Sequence, residues 1–252
     1  MFNSSTWTIT PEYQTGNTLK AFSSIDHVFN LRGKQINDDK LSSVHRVEID
    51  GVGYYVKKYI KAGKGVRRYL GRSRIRAEWE NMLFFHELGI PAAKVVAYGE
   101  EKKFGVMTRG VLITEEVKNS KDLKTMVDEG SSKLSDRVWM RQVINQVATI
   151  TRTLHDKKFI HTDFKWRNIL VTQTEQPKVF LIDCPSGAIA KSFIFKRGRI
   201  KDLACLDKVG EISLSSTDRL RFFLRYSNSK SLSKKNKKLI NSITNFFDKT
   251  KK

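Results

Sequence analysis

The stretch HTDFKWRNIL at residues 161–170 sets a histidine two residues before an aspartate, a lysine two after it and an asparagine five after it, and then runs into apolar chain. A second acid, Asp183, ends the apolar run KVFLI that follows. If NILV and KVFLID are short strands flanking TQTEQP, then Asp163, Asn168 and Asp183 gather at one end of a small hairpin. Two carboxylates and an amide oxygen are hard donors suited to Mg²⁺, which takes few protein ligands and otherwise keeps waters or phosphate oxygens. The implied ligand is a nucleotide phosphate with its metal. In that chemistry Asp163 accepts the proton of an attacking hydroxyl and Lys165 offsets charge on the transferred phosphoryl group. Asn168 and Asp183 hold the metal, and His161 braces the loop from within.

These residues need a scaffold, and the hydrophobic pattern supplies one. VHRVEIDGVGYYVKKYI alternates and is broken by DGVG, which reads as two antiparallel strands at about 44–49 and 53–60. RIRAEWENMLFFHELGIPA reads as a helix of about four turns, stopped by Gly89 and Pro91. VVAYGE and GVLITEEV read as further strands. WMRQVINQVATITRTLHDKK carries apolar residues at 139, 143, 144, 147, 150 and 154, the stripe of a helix with one buried face. RLRFFLRYS and KKLINSITNFF read as terminal helices. A strand-rich part, residues 1–117, therefore precedes a helix-rich part, residues 118–252, giving an α+β fold.

Composition narrows the classes. A chain of 252 residues with 39% hydrophobic content can bury a core. No apolar run approaches the roughly 20 residues of a membrane-spanning helix, and MFNSSTWTIT has neither a basic leader nor an apolar signal core. The expectation is a cytoplasmic protein. Cys184 and Cys205, without CxxC spacing, read as free thiols. The formal net charge of +21 implies a polyanionic partner of some kind. Its cations fall in three runs, at 57–76, at 191–201 and from Ser229 to the end. Tyr59 and Tyr69 are the only aromatics in the first run, so the stacking face of a nucleic-acid module is not expected.

HTDFKWRN resembles the catalytic loop of the protein-kinase-like superfamily, and LIDCPSG stands where those enzymes carry their metal-binding aspartate. YVKKY resembles the strand whose lysine holds the α and β phosphates, and Glu78 sits where the helix glutamate pairs with that lysine. Strand alternation does not separate Lys57 from Lys58; the resemblance favours Lys57, because Tyr59 then falls where related small kinases carry a tyrosine. Asp202 looks like the buried aspartate that anchors the catalytic loop from the next helix. YYVKKY, GRSRIRAEWENMLFFHELGIPAAKVVAYGE, LITEEV, LHDKKFIHTDF, LIDCPSG, KDLACL and DRLRFFLRY occur in the order found in the bacterial lipopolysaccharide kinase family, the Kdo and heptose kinases, over about residues 40–227.

That resemblance implies a two-lobed, protein-kinase-like fold in which a small antiparallel sheet lobe with one main helix precedes a larger helical lobe. It also implies ATP and Mg²⁺ as cofactors, and transfer of phosphate to heptose or Kdo of a lipopolysaccharide core glycolipid. The place implied is the cytoplasmic face of the inner membrane, where basic side chains meet an anionic surface. Only 18 residues separate Asp183 from Asp202, little room for a peptide-binding segment, which favours a compact acceptor over a peptide. The pattern is broken in three places. No GxGxxG is present, and the stretch KLSS at 40–43, with Ser42 and Ser43, is the expected phosphate-covering turn. Cys184–Pro185 replaces Phe–Gly after Asp183, and Thr162 replaces the arginine after His161. The terminal lysines read as membrane-facing, with Phe246 and Phe247 either in the interface or packed on the lobe.

Overall fold

A computed structural model describes residues 3–62 and 71–248. The chain forms two compact units, Met1–Phe84 with Ala93–Glu116, and Phe85–Ala92 with Val117–Lys252.

The first unit is built on a six-stranded antiparallel sheet. Its strands are β1 (Asn3–Ile9), β2 (Lys34–Asp38), β3 (Ser42–Ile49), β4 (Val52–Tyr59), β5 (Val95–Lys103) and β6 (Val106–Glu115), in the order β1-β5-β6-β4-β3-β2. The strands expected from VHRVEI and GYYVKKYI are β3 and β4. Their two-residue turn has Asp50 at φ 51° and Gly51 at φ 73°, the left-handed pair that matches strand twist. Short helices α1 (Gly16–Ala21) and α2 (Ile25–Asn30) precede β2. Phe22, Ile25 and Val28 pack with Tyr54, Val56, Val111 and Ile113 in the core of this unit.

α3 (Arg74–Glu87) is the four-turn helix expected. It stops where the Ile90 amide donates to the Phe85 carbonyl at 2.9 Å and Gly89 takes φ 67°, a conformation open to glycine at no steric cost. The expected basic face at 61–76 falls largely on residues 63–70, outside the described residues.

In the second unit α5 (Arg137–Asp156) buries Trp139, Val143, Ile144, Val147, Ile150 and Leu154, the stripe expected from the sequence. Asp136 caps it, accepting from the amides of Val138 at 2.8 Å and Trp139 at 3.1 Å. β7 (Ser120–Asp122) and α4 (Leu123–Asp128) come before it; β8 (Phe159–Ile160), β9 (Ile169–Thr172), β10 (Val179–Leu181) and β11 (Ala188–Ile189) follow. The chain ends in α6 (Ser192–Ser213), α7 (Ser216–Ser227) and α8 (Lys234–Thr244).

α6 is less visible in the sequence because Gly198 interrupts it. A Cβ there would lie 2.7 Å from Ile160 Cδ1 and Cγ2, so the glycine lets the helix press onto β8. Phe246 and Phe247 pack on the cluster of Leu203, Phe223 and Tyr226, which settles their placement on the lobe. Cys184 and Cys205 are buried and not joined in a disulfide. Among the described residues no helix is long and apolar enough to cross a membrane.

Candidate active site

The loop 161–168 runs from β8 to β9, and its shape is imposed from α6. Asp202, fully buried, accepts from the His161 amide at 2.7 Å through Oδ2 and from the Thr162 amide at 2.8 Å through Oδ1. Trp166 Nε1 donates to the Leu206 carbonyl at 2.8 Å, one helical turn further on. Thr162 sits at φ 68°, a region costly for a β-branched residue, and the Asp202 carboxylate holds it there.

His161 is fully buried, its ring stacked 4.8 Å from Phe164 and 6.1 Å from Phe85. Neither ring nitrogen has a hydrogen-bond partner. Burial pushes its pKa down, outweighing the opposing pull of Asp202, Asp183 and Asp163, so the ring is neutral.

Asp163 is clamped by two cations. Lys165 Nζ lies 2.5 Å from Oδ1 and Arg167 Nη2 2.9 Å from Oδ2. Partial burial pushes the carboxyl up, but the hydrogen bonds from Lys165 and Arg167 prevail and hold it below the usual carboxylate range. Arg167 has no counterpart among the site residues inferred from sequence. Its spacing of four from Asp163 was the available signal. His155 was also missed: its ring is buried, with Nδ1 2.9 Å from the Tyr226 hydroxyl and Nε2 3.4 Å from Asp202 Oδ2.

The hairpin expected to gather the oxygen donors is β9–β10. Ile169 pairs with Leu181, and the Ile182 amide donates to the Asn168 carbonyl at 3.1 Å, so Asn168 and Asp183 flank the same end of the ladder. Asn168 Nδ2 donates to the Asp163 carbonyl at 2.8 Å, which leaves Oδ1 as the end of the amide that can coordinate. Asp183 takes φ 56°, and the buried Cys184 sulfur lies 3.9 Å from the His161 carbonyl. Among the described residues no three His, Cys, Asp or Glu side chains cluster as a metal cage. One carboxylate and one amide oxygen fit Mg²⁺ shared with phosphates, the cation's usual habit with nucleotides.

In the first unit, β4 alternation sends its two lysines to opposite faces. Lys57 Nζ donates to Glu78 Oε1 at 2.8 Å and Oε2 at 3.0 Å, and the Tyr59 hydroxyl donates to Glu78 Oε2 at 2.9 Å. Lys58 Nζ instead donates to the Phe29 and Leu31 carbonyls, at 3.1 and 3.0 Å. Burial pushes the Lys58 pKa down.

Ser42 and Ser43 open β3, after the tight turn from β2. The Asp39 carboxylate accepts from the Leu41 amide at 2.7 Å and the Ser42 amide at 3.0 Å, and lies 3.4 Å from the Ser42 hydroxyl. The Leu41 hydrogen bond is the largest of the influences that hold the Asp39 pKa down; the Ser42 hydrogen bonds and the Lys57 charge act in the same direction. The turn therefore binds an anion of its own.

The sequence profile of the lipopolysaccharide kinase (Kdo/WaaP) family matches residues 32–226. The 3-deoxy-D-manno-octulosonic acid kinase of Actinobacillus succinogenes is 32% identical over 146 residues, 54% of this chain and 58% of that protein. The lipopolysaccharide core heptose(I) kinase WaaP of Pseudomonas aeruginosa is 27% identical over 209 residues, 78% of this chain and 77% of that protein. The chain thus spans somewhat over half the length of the first of these relatives. The solved structure of WaaP in complex with acyl carrier protein matches with a TM-score of 0.74 at 22% identity, covering 97% of this chain and 98% of that one. Likeness at that identity speaks to the fold, and the fold is the α+β, protein-kinase-like architecture expected from the sequence. With the profile matching well over half of its residues, the chain belongs to the lipopolysaccharide kinase (Kdo/WaaP) family.

Proposed function

We propose that this chain transfers the γ-phosphoryl group of ATP to a sugar hydroxyl, heptose or Kdo, of a lipopolysaccharide core glycolipid. The observation that carries the reading is the β9–β10 hairpin end, where Asn168 and Asp183 flank one ladder terminus and Asn168 is tied to the Asp163 carbonyl.

In this reading Asp163 takes the hydroxyl proton as the sugar oxygen attacks the γ-phosphorus and ADP departs. Lys165, now paired with Asp163, offsets charge on the phosphoryl group in flight. Asn168 and Asp183 hold Mg²⁺, which neutralises phosphate charge when bound. Lys57, oriented by Glu78, binds the α and β phosphates, and the turn ending at Ser42 and Ser43 covers them. His161 and Asp202 shape the loop without touching substrate. Residues 1–117 thus serve the nucleotide, and residues 118–252 carry the catalytic loop and acceptor site. A lipid-linked acceptor places the protein peripherally at the cytoplasmic face of the inner membrane.

The test has two arms. Mg-ATP is expected to raise the melting temperature of the wild type but not of Asp183→Ala. Labelled ATP is expected to transfer phosphate to dephosphorylated core glycolipid, with transfer abolished in folded Asp163→Asn. Transfer to a soluble alcohol or a protein and to no core sugar would replace the acceptor assignment.

A second partner is favoured by one cavity. About 380 Å³ of space in the C-terminal unit is lined by Val143, Val147, Leu203, Leu206, Phe223 and Ile243, among other apolar side chains. A related structure is of WaaP with acyl carrier protein. An alkyl chain presented by such a carrier suits this cavity. Mass spectrometry of the purified protein should then find a co-purifying acylated carrier, lost in Val147→Trp.

A further inference from the structure

The start of α6 leaves apolar side chains in solvent beside the catalytic loop. Phe193 is 80% exposed, Ile189 65% and Ile194 62%. Other exposed large apolar residues, such as Ile36, Phe104, Val138 and Ile212, stand singly along the chain, which is ordinary. Three within six positions are not.

Helix periodicity shows that Phe193 is not awaiting the core. The inward face of α6 is already committed. Phe195 meets the His155 ring edge-on at 6.0 Å, Gly198 lies against Ile160, Arg199 lies over the Tyr226 ring and Asp202 binds the catalytic loop. Phe193, Lys196 and Arg197 occupy the opposite face, one turn apart.

The charge around this tip has one sign. Between Asp183 and Asp202 the sequence holds Lys191, Lys196, Arg197, Arg199 and Lys201 and no acid. Among the described residues no carboxylate pairs with Lys191, Lys196 or Arg197, which are all exposed. A protein partner rich in carboxylates would meet the cations but would not need the aromatic tip, and a single phenylalanine is a poor stacking platform for nucleic acid. An apolar tip ringed by uncompensated lysine and arginine matches the depth profile of an anionic bilayer, with hydrocarbon inside and phosphate above it.

Backbone placement gives the tip a use. Ile189 and Ala188 pair with Phe159 and Ile160, and the Ala190 amide donates to the Lys158 carbonyl at 2.9 Å. The residue after Ile160 is His161, where the catalytic loop begins.

We propose that Ile189, Phe193 and Ile194 insert into the interface of an anionic phospholipid bilayer while Lys191, Lys196 and Arg197 engage its headgroup phosphates. The surface deepens the functional reading above and rests on it for one point, that the acceptor is lipid-linked.

The test uses the full chain in vesicle co-sedimentation, with phosphatidylethanolamine/phosphatidylglycerol vesicles against phosphatidylcholine alone. Wild type is expected on the anionic vesicles, with binding falling as salt is raised. Phe193→Ser/Ile194→Ser should bind at least about tenfold more weakly. Lys191→Ala/Lys196→Ala/Arg197→Ala should lose about fivefold per cation. Phe193→Leu should retain binding, and unfolding midpoints should stay at the wild-type value because every position is exposed. Wild-type retention by both multiple variants, equal wild-type binding to the neutral vesicles, or an oligonucleotide or protein bound through this tip with vesicles ignored would each overturn the proposal. Phosphorylation of delipidated core saccharide is assayed in parallel. Vesicle binding lost in the variants, with no sugar phosphorylated by wild type, upholds the surface and removes the kinase reading. Sugar phosphorylation with vesicle binding unchanged in the variants does the reverse.

Discussion

The Thr162 amide and the Asp202 carboxylate, 40 residues apart, are joined by a 2.8 Å hydrogen bond at a residue whose φ is 68°. The loop 161–168 is thus held from α6 against its own backbone preference. Asp202→Ala strands one buried and one half-buried amide donor and is expected to cost about 3 kcal/mol in urea denaturation. Asp202→Asn keeps one acceptor oxygen and should fall between. A loss under 1 kcal/mol for the alanine variant would show that the loop holds its own shape.

The Lys57–Glu78 pair makes a double-mutant cycle informative. Side-chain exposure is 18% for Lys57 and 3% for Glu78, so Lys57→Met takes an ammonium donor away from a buried carboxylate. We expect about 3 kcal/mol of destabilisation from Lys57→Met alone and recovery of most of it in Lys57→Met/Glu78→Gln. Neither variant should show a Mg-ATP-induced shift in melting temperature. Additive losses in the cycle would argue that the pair is not coupled.

Arg167 sets a pH prediction. Its hydrogen bond to Asp163 is among those holding that carboxyl below its ordinary 3.8, and Asp163 in the proposed role of base must be ionised to accept a proton. Arg167→Ala should therefore move the acid limb of kcat/KM to higher pH. The sign for stability follows from the same shift. A depressed folded pKa contributes stability that is full above the unfolded value and is lost as pH falls through the folded one, so the variant should lose less stability on acidification. An acid limb that stays in place would remove Asp163 as the titrating base or Arg167 as its partner.

His161 offers a substitution that should be tolerated. Its ring is stacked between aromatics with both nitrogens unpartnered, so His161→Phe keeps the stacking and removes two orphaned polar atoms. Stability at pH 7 should be unchanged or higher by about 1 kcal/mol. The folded pKa is depressed, so wild type loses stability as pH falls below the unfolded 6.5, and the variant should lose less. A fall of several kcal/mol in His161→Phe at neutral pH would mean that a ring nitrogen binds something essential.

Much of the scaffold could be read from periodicity. α5 was legible because six apolar positions keep one helical face, and β3–β4 because DG sits between two alternating runs. β1 was not: as an edge strand it is mostly exposed, and its alternation is confined to Trp7 and Ile9, a run too short to mark a strand. Lys57 and Lys58 looked alike in sequence, since the faces of β4 are assigned by α3 on one side and α2 on the other. Arg167 and His155 escaped because each acts on a carboxylate already given a role: the spacing of four from Asp163 to Arg167 is that of any surface ion pair, and His155 reaches Asp202 across 47 residues.

The Asp39 carboxylate turns the β2–β3 turn into a host already holding a guest. A phosphate seeking the Leu41 and Ser42 amides must displace a competitor covalently tied to the same turn, whose local concentration never dilutes. In the proposed reading, apparent nucleotide affinity would be the intrinsic value scaled by the fraction of time the turn is vacated. Asp39→Asn, a weaker competitor without charge, should bind ATP several-fold more tightly by calorimetry; unchanged or weaker binding would mean that phosphate never reaches those amides. If the turn covers nucleotide phosphate as proposed, self-occupancy of this sort would set a threshold that an incoming anion has to overcome.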